Sequence, residues 1–188
     1  MMANEISNYI TIEGNEAAKL EFARLIASIN EHDKKSGVGV EEVLFGVTEP
    51  TRNWSCDNMG AKWVLVNDAL GEDYISLISA WYQCDGVQNK LHEMLKKFDE
   101  DVEVHMIYED EMPLFTGYRV LWRDEDIDHM EEDGLEEELL NLAEEAGEEP
   151  WEDAWANRLE EVRDVSMDNA LEELKERKSE EYQNEQAV

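Results

Sequence analysis

The apolar residues of this chain change their period repeatedly, and the order of those changes limits the folds open to it. A half-buried strand hides every second residue, and a packed helix hides every third or fourth. Ile6, Asn8, Ile10 and Ile12 alternate with Ser7, Tyr9 and Thr11, which predicts an opening strand closed by Glu13-Gly14-Asn15. Asn15 then stands as the N-cap of a helix in which Ala18, Phe22, Leu25, Ile26 and Ile29 recur at three-to-four spacing, before the polar run Asn30 to Gly39. Val40 to Val47 is apolar with no settled period, and Pro50 terminates it. Trp63 to Val66 and Tyr74 to Trp81, with a turn at Gly71 between them, predict an antiparallel hairpin. Asp85-Gly86 opens a second helix carrying Val87, Leu91, Met94, Leu95 and Phe98 on one side. Val102 to Tyr108 alternates again, and Leu114 to Trp122 adds a further strand.

That order, strand, helix, strand, strand, helix, strand with one strand more, is the split βαβ pattern of a ferredoxin-like α+β sandwich, an antiparallel sheet with two helices on one face. At 188 residues the chain has room for one such domain and an appended piece. Charge locates the seam: residues 124–188 carry 26 acidic and 5 basic side chains, against 22 and 11 in residues 1–123. The reading is a ferredoxin-like domain over 1–123 and an acidic helical extension over 124–188. In the extension Leu135, Leu139, Leu142, Ala143 and Ala146 form one helical stripe, ended by Gly147 and Pro150. Trp151, Trp155, Leu159 and Val162 form a second. Ser166 is expected to cap a third helix bearing Ala170, Leu171 and Leu174, with Glu181 to Val188 fraying.

The net charge of −32 works against binding nucleic acid or an anionic membrane, which requires clustered cations. Basic proteins, and proteins that themselves bind nucleic acid, are the natural partners. Cys56 and Cys84 have no zinc-like spacing and read as reduced thiols. The N-terminal Met1-Met2-Ala3-Asn4-Glu5 lacks a basic and apolar leader pattern, and no apolar run reaches eighteen residues, so a cytoplasmic protein is expected. His32, His92, His105 and His129 are dispersed, with no nucleophile elbow and no phosphate-cradling glycine run, so no enzyme and no cofactor is expected. Asp124, Asp126, Asp128 and Glu132 match positions 1, 3, 5 and 9 of a calcium loop, but His129 replaces the turning glycine and Leu135 the closing glutamate, so no metal is expected there.

Two surfaces compete for the binding role. Between Asp124 and Glu138 ten of fifteen residues are acidic, and a helix with every second residue acidic approaches the charge density of a duplex. Asp124, Asp126, Asp128, Glu131, Glu132, Glu136, Glu137 and Glu138, backed by Glu144, Glu145, Glu148 and Glu149, are therefore the expected partner-binding charges, the other readings of the same run being a solvated face suited to a salty cytoplasm or a tail that binds a basic protein without mimicry. The alternative is the stretch from Arg52 to Trp63, read as an aperiodic loop. There Trp54 and Trp63 either stack a planar ligand whose phosphate Arg52 and Lys62 hold, or plug the end of the core.

Asn53-Trp54, Gly60-Ala61-Lys62-Trp63, Ser79-Ala80-Trp81, the helix from Asp85, Val102 to Glu109 and Phe115-Thr116-Gly117-Tyr118 together resemble the Api92-like family, with its YubB-type ferredoxin-like domain. The resemblance spans about residues 3–123 and excludes the acidic end. Met59 and Ala61 around Gly60, and Tyr82-Gln83 after Trp81, depart from the small residues and prolines usual there. It implies the fold and a phage or mobile-element origin, and no reaction.

Overall fold

The computed structural model describes residues 4–67, 71, 73–111, 115–131, 137, 141 and 151–186. The opening alternation forms β1 (Glu5–Glu13), and α1 (Glu16–Ser36) follows it. Asn15 caps α1 as expected, its side-chain oxygen accepting from the Ala17 and Ala18 amides, and the five residues of the anticipated stripe are its buried ones. Gly37 ends the helix at φ 69°, a left-handed conformation that glycine adopts at no steric cost. The apolar patch of no settled period becomes a single π-helical turn, Glu41–Phe45.

Residues 52–59 correct the loop reading. They form α2 (Arg52–Met59), N-capped by Thr51 and closed by Gly60 at φ 83°. Eight residues are too few to display a helical period, and only Ser55 and Met59 are fully buried in it, with Trp54 packed against the core. Then come β2 (Val64–Val66), β3 (Ile75–Ala80), α3 (Asp85–Leu95), β4 (Glu103–Asp110) and β5 (Thr116–Trp122). Phe98, placed by sequence on the α3 stripe, lies beyond the end of that helix and is largely exposed.

The chain does not turn helical at residue 124. Arg123-Asp124 make a two-residue turn, with Arg123 at φ 51°, and β6 (Glu125–Glu131) returns antiparallel to β5. A boundary drawn at 123/124 thus falls inside a hairpin. The last element is α4 (Trp151–Gln186), one unbroken helix. Ser166 is buried within it and caps nothing, and the end read as fraying is helical to Gln186. The stripe from Leu135 to Ala146 lies outside the described residues.

The six strands form one antiparallel sheet in the order β2-β3-β1-β4-β5-β6. Register assigns its faces. Ile10 lies opposite Ile75 and Met106, so their side chains share one side, and Phe22, Leu25 and Ile29 of α1 with Val87, Leu91 and Leu95 of α3 cover it. On the reverse side Tyr118, Val120 and Trp122 of β5 and Ile127 of β6 meet Ala170 and Leu174 of α4. The helices therefore lie on opposite faces, α1 and α3 on one and α4 on the other. Gly86 lets α3 begin against the end of α2, because a Cβ there would stand 2.0 Å from the Asn58 carbonyl oxygen. Among the described residues no helix is long and apolar enough to cross a membrane.

Candidate functional site

α4 meets the sheet through Ala170 and Leu174, with Met167 beside them, and Leu159, Val162 and Ser166 are buried on the same side of the helix, spaced three or four residues apart. Its opposite face carries Glu161, Asp164, Asp168 and Glu172, all exposed. At a rise of about 1.5 Å per residue these carboxylates follow one another at about 5 to 6 Å. Arg158 pairs with Glu161 at 3.1 Å, and Arg163 lies 3.6 Å from Asp164. Asp168 and Glu172 have no ion pair among the described residues. The sequence carried this signal as an i, i+3/i+4 series of acids opposite an apolar series, but the break assumed at Ser166 cut it in two.

The charges expected from sequence fare differently. Asp124 is exposed at the turn, 3.1 Å from Lys96 Nζ. Asp126 receives Nε and Nη2 of Arg119 at 2.8 and 2.7 Å, and Asp128 accepts from the Tyr108 hydroxyl at 2.6 Å. These two serve as a counter-ion and an acceptor within the chain, with the Asp126 side chain still half-exposed. Glu131, at the end of β6, and Glu137 are exposed. Glu132, Glu136, Glu138, Glu144, Glu145, Glu148 and Glu149 lie outside the described residues. The strand geometry also changes the charge spacing, since same-face residues of a strand stand about 6.8 Å apart, too sparse for the duplex-like density expected of a helix at 125–131.

Arg119, buried on the α3 side of the sheet, organises this acidic cluster. Its guanidinium also donates to Gln88 Oε1 and Asn89 Oδ1 at 3.0 Å and lies 3.5 Å from Asp85 Oδ1. Burial pushes the Asp85 carboxyl up to about 6; Arg119 opposes the shift, and Asp128 and Asp126 add to it. Burial likewise raises Asp128, against the hydrogen bond from Tyr108 and the charge of Arg119. Gly117 makes room for this arrangement, because a Cβ there would meet the Tyr108 hydroxyl at 2.4 Å and block its reach to β6. The cluster ties α3 to the β5–β6 hairpin. A lone arginine in an otherwise uncharged strand, facing a strand with alternate acids, was the sequence signal for it.

The four residues expected from the tryptophan stretch take separate places in the fold. Trp54 packs edge-on against Phe45, ring centroids 5.4 Å apart, as part of the main core. Arg52 is exposed at the start of α2, and Lys62 and Trp63 are half-buried in the link to β2. The cleft beside α2, about 380 Å³, is lined by Phe45, Asn58, Asp85 and Asn89 among others and by none of these four. Cys84 is fully buried, which pushes its thiol well above the ordinary range, and Cys56 is exposed.

On the α4 side of the sheet, Glu13, Glu103 and His105 place donor atoms within 4.8 Å of one another, a grouping that sequence separation concealed. No family model matches the chain, and neither a curated protein nor a solved structure is similar to it.

Proposed function

We propose that this chain is a non-enzymatic interaction protein that binds a basic, nucleic-acid-binding protein through the outer face of α4 and keeps that partner from its nucleic acid. The observation that carries the reading is the row Glu161, Asp164, Asp168, Glu172, held at regular spacing on a helix whose other side is anchored to the sheet. A rigid row of like charges steers an oppositely charged partner and fixes its register. The four carboxylates of the row span about 16 Å of helix, one every 5 to 6 Å, which is sparser than the phosphates of one nucleic-acid strand. The partner is therefore read as one whose basic surface meets a single short row of anions.

The scaffold is read as ferredoxin-like. The chain order β1-α1-β2-β3-α3-β4 with sheet order β2-β3-β1-β4 supports that assignment, the β5–β6 hairpin and α4 being additions to it. With the Api92-like resemblance of residues 3–123, the chain is read as a mobile-element protein and the partner as a protein of its host cell.

Competition tests the proposal. A basic protein captured on this chain is loaded with labelled single-stranded and duplex DNA, and the chain is titrated in at low and at physiological salt. The expected result is displacement of DNA that weakens as salt rises. The fourfold neutralised variant Glu161→Gln, Asp164→Asn, Asp168→Asn, Glu172→Gln should compete roughly tenfold less well or worse. A ternary complex in which the partner holds DNA and this chain together would remove the proposal, as would a neutralised variant that competes like the original.

A further inference from the structure

The group formed by Glu13, Glu103 and His105 has features that ion pairing alone does not explain. Glu13 and Glu103 sit directly opposite each other in the β1–β4 register, where like charges repel, and the cation found at the pair, Lys178, meets Glu103 and not Glu13. His105 follows two residues after Glu103, on the same face of β4. It is 6% exposed, and its Nε2 is buried without a hydrogen-bond partner. That nitrogen points at the carboxylates, 3.4 Å from Glu103 Oε2 but without the alignment of a hydrogen bond.

The other ring nitrogen is fixed. His105 Nδ1 and the buried Tyr118 hydroxyl are hydrogen-bonded at 2.7 Å. When Nδ1 carries the proton, the bare lone pair is on Nε2, the arrangement found where a histidine binds a metal through one nitrogen and is held through the other. Glu103 is divided in the same way. Its Oε1 takes the Lys178 ammonium arriving from α4, which leaves Oε2 facing His105. Two donors bound to one tetrahedral ion at about 2.0 to 2.1 Å stand about 3.4 Å apart, the separation already present between Nε2 and Oε2. Glu13 is exposed and without an ion pair among the described residues, so a rotamer change is enough to bring it in as third ligand. A cleft of about 660 Å³ lined by Thr11, Glu13, Lys19, His105, Tyr118 and Leu171 gives access to two of the three donors.

We infer that Glu13, Glu103 and His105 form a binding site for one first-row divalent transition-metal ion, with Tyr118 orienting the histidine. One imidazole and two carboxylates suit Zn²⁺ or Co²⁺, whereas Ca²⁺ prefers an all-oxygen shell. The site lies beneath α4, on the side away from its outer acidic row, so it does not depend on the proposed partner surface.

The test is equilibrium dialysis of the full chain against ZnCl₂, CoCl₂ and CaCl₂ separately, with visible absorption followed for Co²⁺. The expected result is one tightly held Zn²⁺ per chain and a Co²⁺ spectrum of low coordination number. His105→Gln, which keeps a polar group toward Tyr118, and Glu13→Gln should each weaken Zn²⁺ binding roughly tenfold or more. Glu172→Gln should leave it unchanged, and Ca²⁺ should bind weakly and without regard to His105. The inference is overturned if Zn²⁺ is not retained, if its binding survives both substitutions, or if Ca²⁺ matches it. A denaturation curve reports whether His105→Gln is folded. If it is not, the exposed Glu13→Gln decides the question alone.

Discussion

The two faces of the sheet are held by different forces. Under α1 and α3 the contact is broad and apolar, with Ile6, Ile10, Phe22, Leu25, Leu91 and Met106 all removed from water. Under α4 the apolar contact is narrow, made chiefly by Val120, Trp122, Ile127, Ala170 and Leu174, and ion pairs surround it. Arg123 meets Asp101, Glu181 and Glu185 at 2.6 to 2.9 Å, His129 faces Glu173 at 3.0 Å, and Lys178 reaches Glu103. The first face depends mainly on area removed from water, and salt and pH reach it chiefly through the cluster of Arg119, Asp126 and Asp85. The second depends in part on charges that both can alter. A helix fastened in this second way can carry an acidic row on its outside, because Arg123 and Lys178 take up carboxylates on its inner side while Arg163 and Arg177 pair along the helix, leaving Lys175 as an exposed cation beside the row.

Substitutions that separate these two attachments should fall in a definite order. Leu91→Ala, in the first core, is expected to cost about 3 to 4 kcal/mol in denaturant unfolding, as a cavity in a close-packed region does. Leu174→Ala, at the rim of the second core, should cost about 2 kcal/mol. Hydrogen exchange should then show α4 amides losing protection while β1 and β3 keep theirs. Uniform loss over the whole chain would mean that the two faces unfold as one unit. Arg123→Ala removes three carboxylate contacts at a partly exposed position and is expected to cost about 1 kcal/mol, an effect that shrinks in high salt. An effect indifferent to salt would assign Arg123 a packing role through its contact with the Trp122 ring.

The smallest expected effect concerns pH. Asp85 titrates at about 6 in the folded chain, against an ordinary value of 3.8. Between those values the folded state holds the extra proton, so this group's contribution to stability falls as pH rises from about 4 to about 6 and stays low above that. Asp85→Asn should flatten that slope and stabilise the protein at neutral pH. The side chain is 40% exposed, so the gain is limited to about 1 kcal/mol after solvent screening. A loss of stability at pH 7 would show instead that the attraction to Arg119 outweighs the cost of burial.

Much of the first face was legible before any coordinates. The five apolar residues of α1, the Asn15 cap and the hairpin of β2 and β3 are local patterns that tertiary packing had no reason to override. The second face was not legible, for reasons that differ by residue. Within β6 only Ile127 is both apolar and buried, so its alternation is swamped by acids that read as a solvated helix. The turn before it is Arg123-Asp124, with neither a glycine nor an asparagine to announce a hairpin. Ser166 has the chemistry of a cap, yet it sits on the buried stripe of α4, where a small side chain lets the helix approach the sheet. For the sites, composition drew attention to 124–138, while the outer row of α4 needed one continuous helix to become visible. The metal-ligating group needed the pairing of residues ninety positions apart, which no local pattern encodes.

Among the described residues β6 is hydrogen-bonded on one side only, and its other side bears the burden that every terminal strand bears, a line of backbone groups able to recruit another chain. Glu125, Asp126, Asp128 and Glu131 stand along it. A second copy docking there would bring matching rows of anions to within about 5 Å of each other. At the opposite margin β2 offers only three residues to grip. Among the described residues the sheet is thus guarded at both ends, by repulsion at one and by brevity at the other, which works against edge-to-edge pairing of copies.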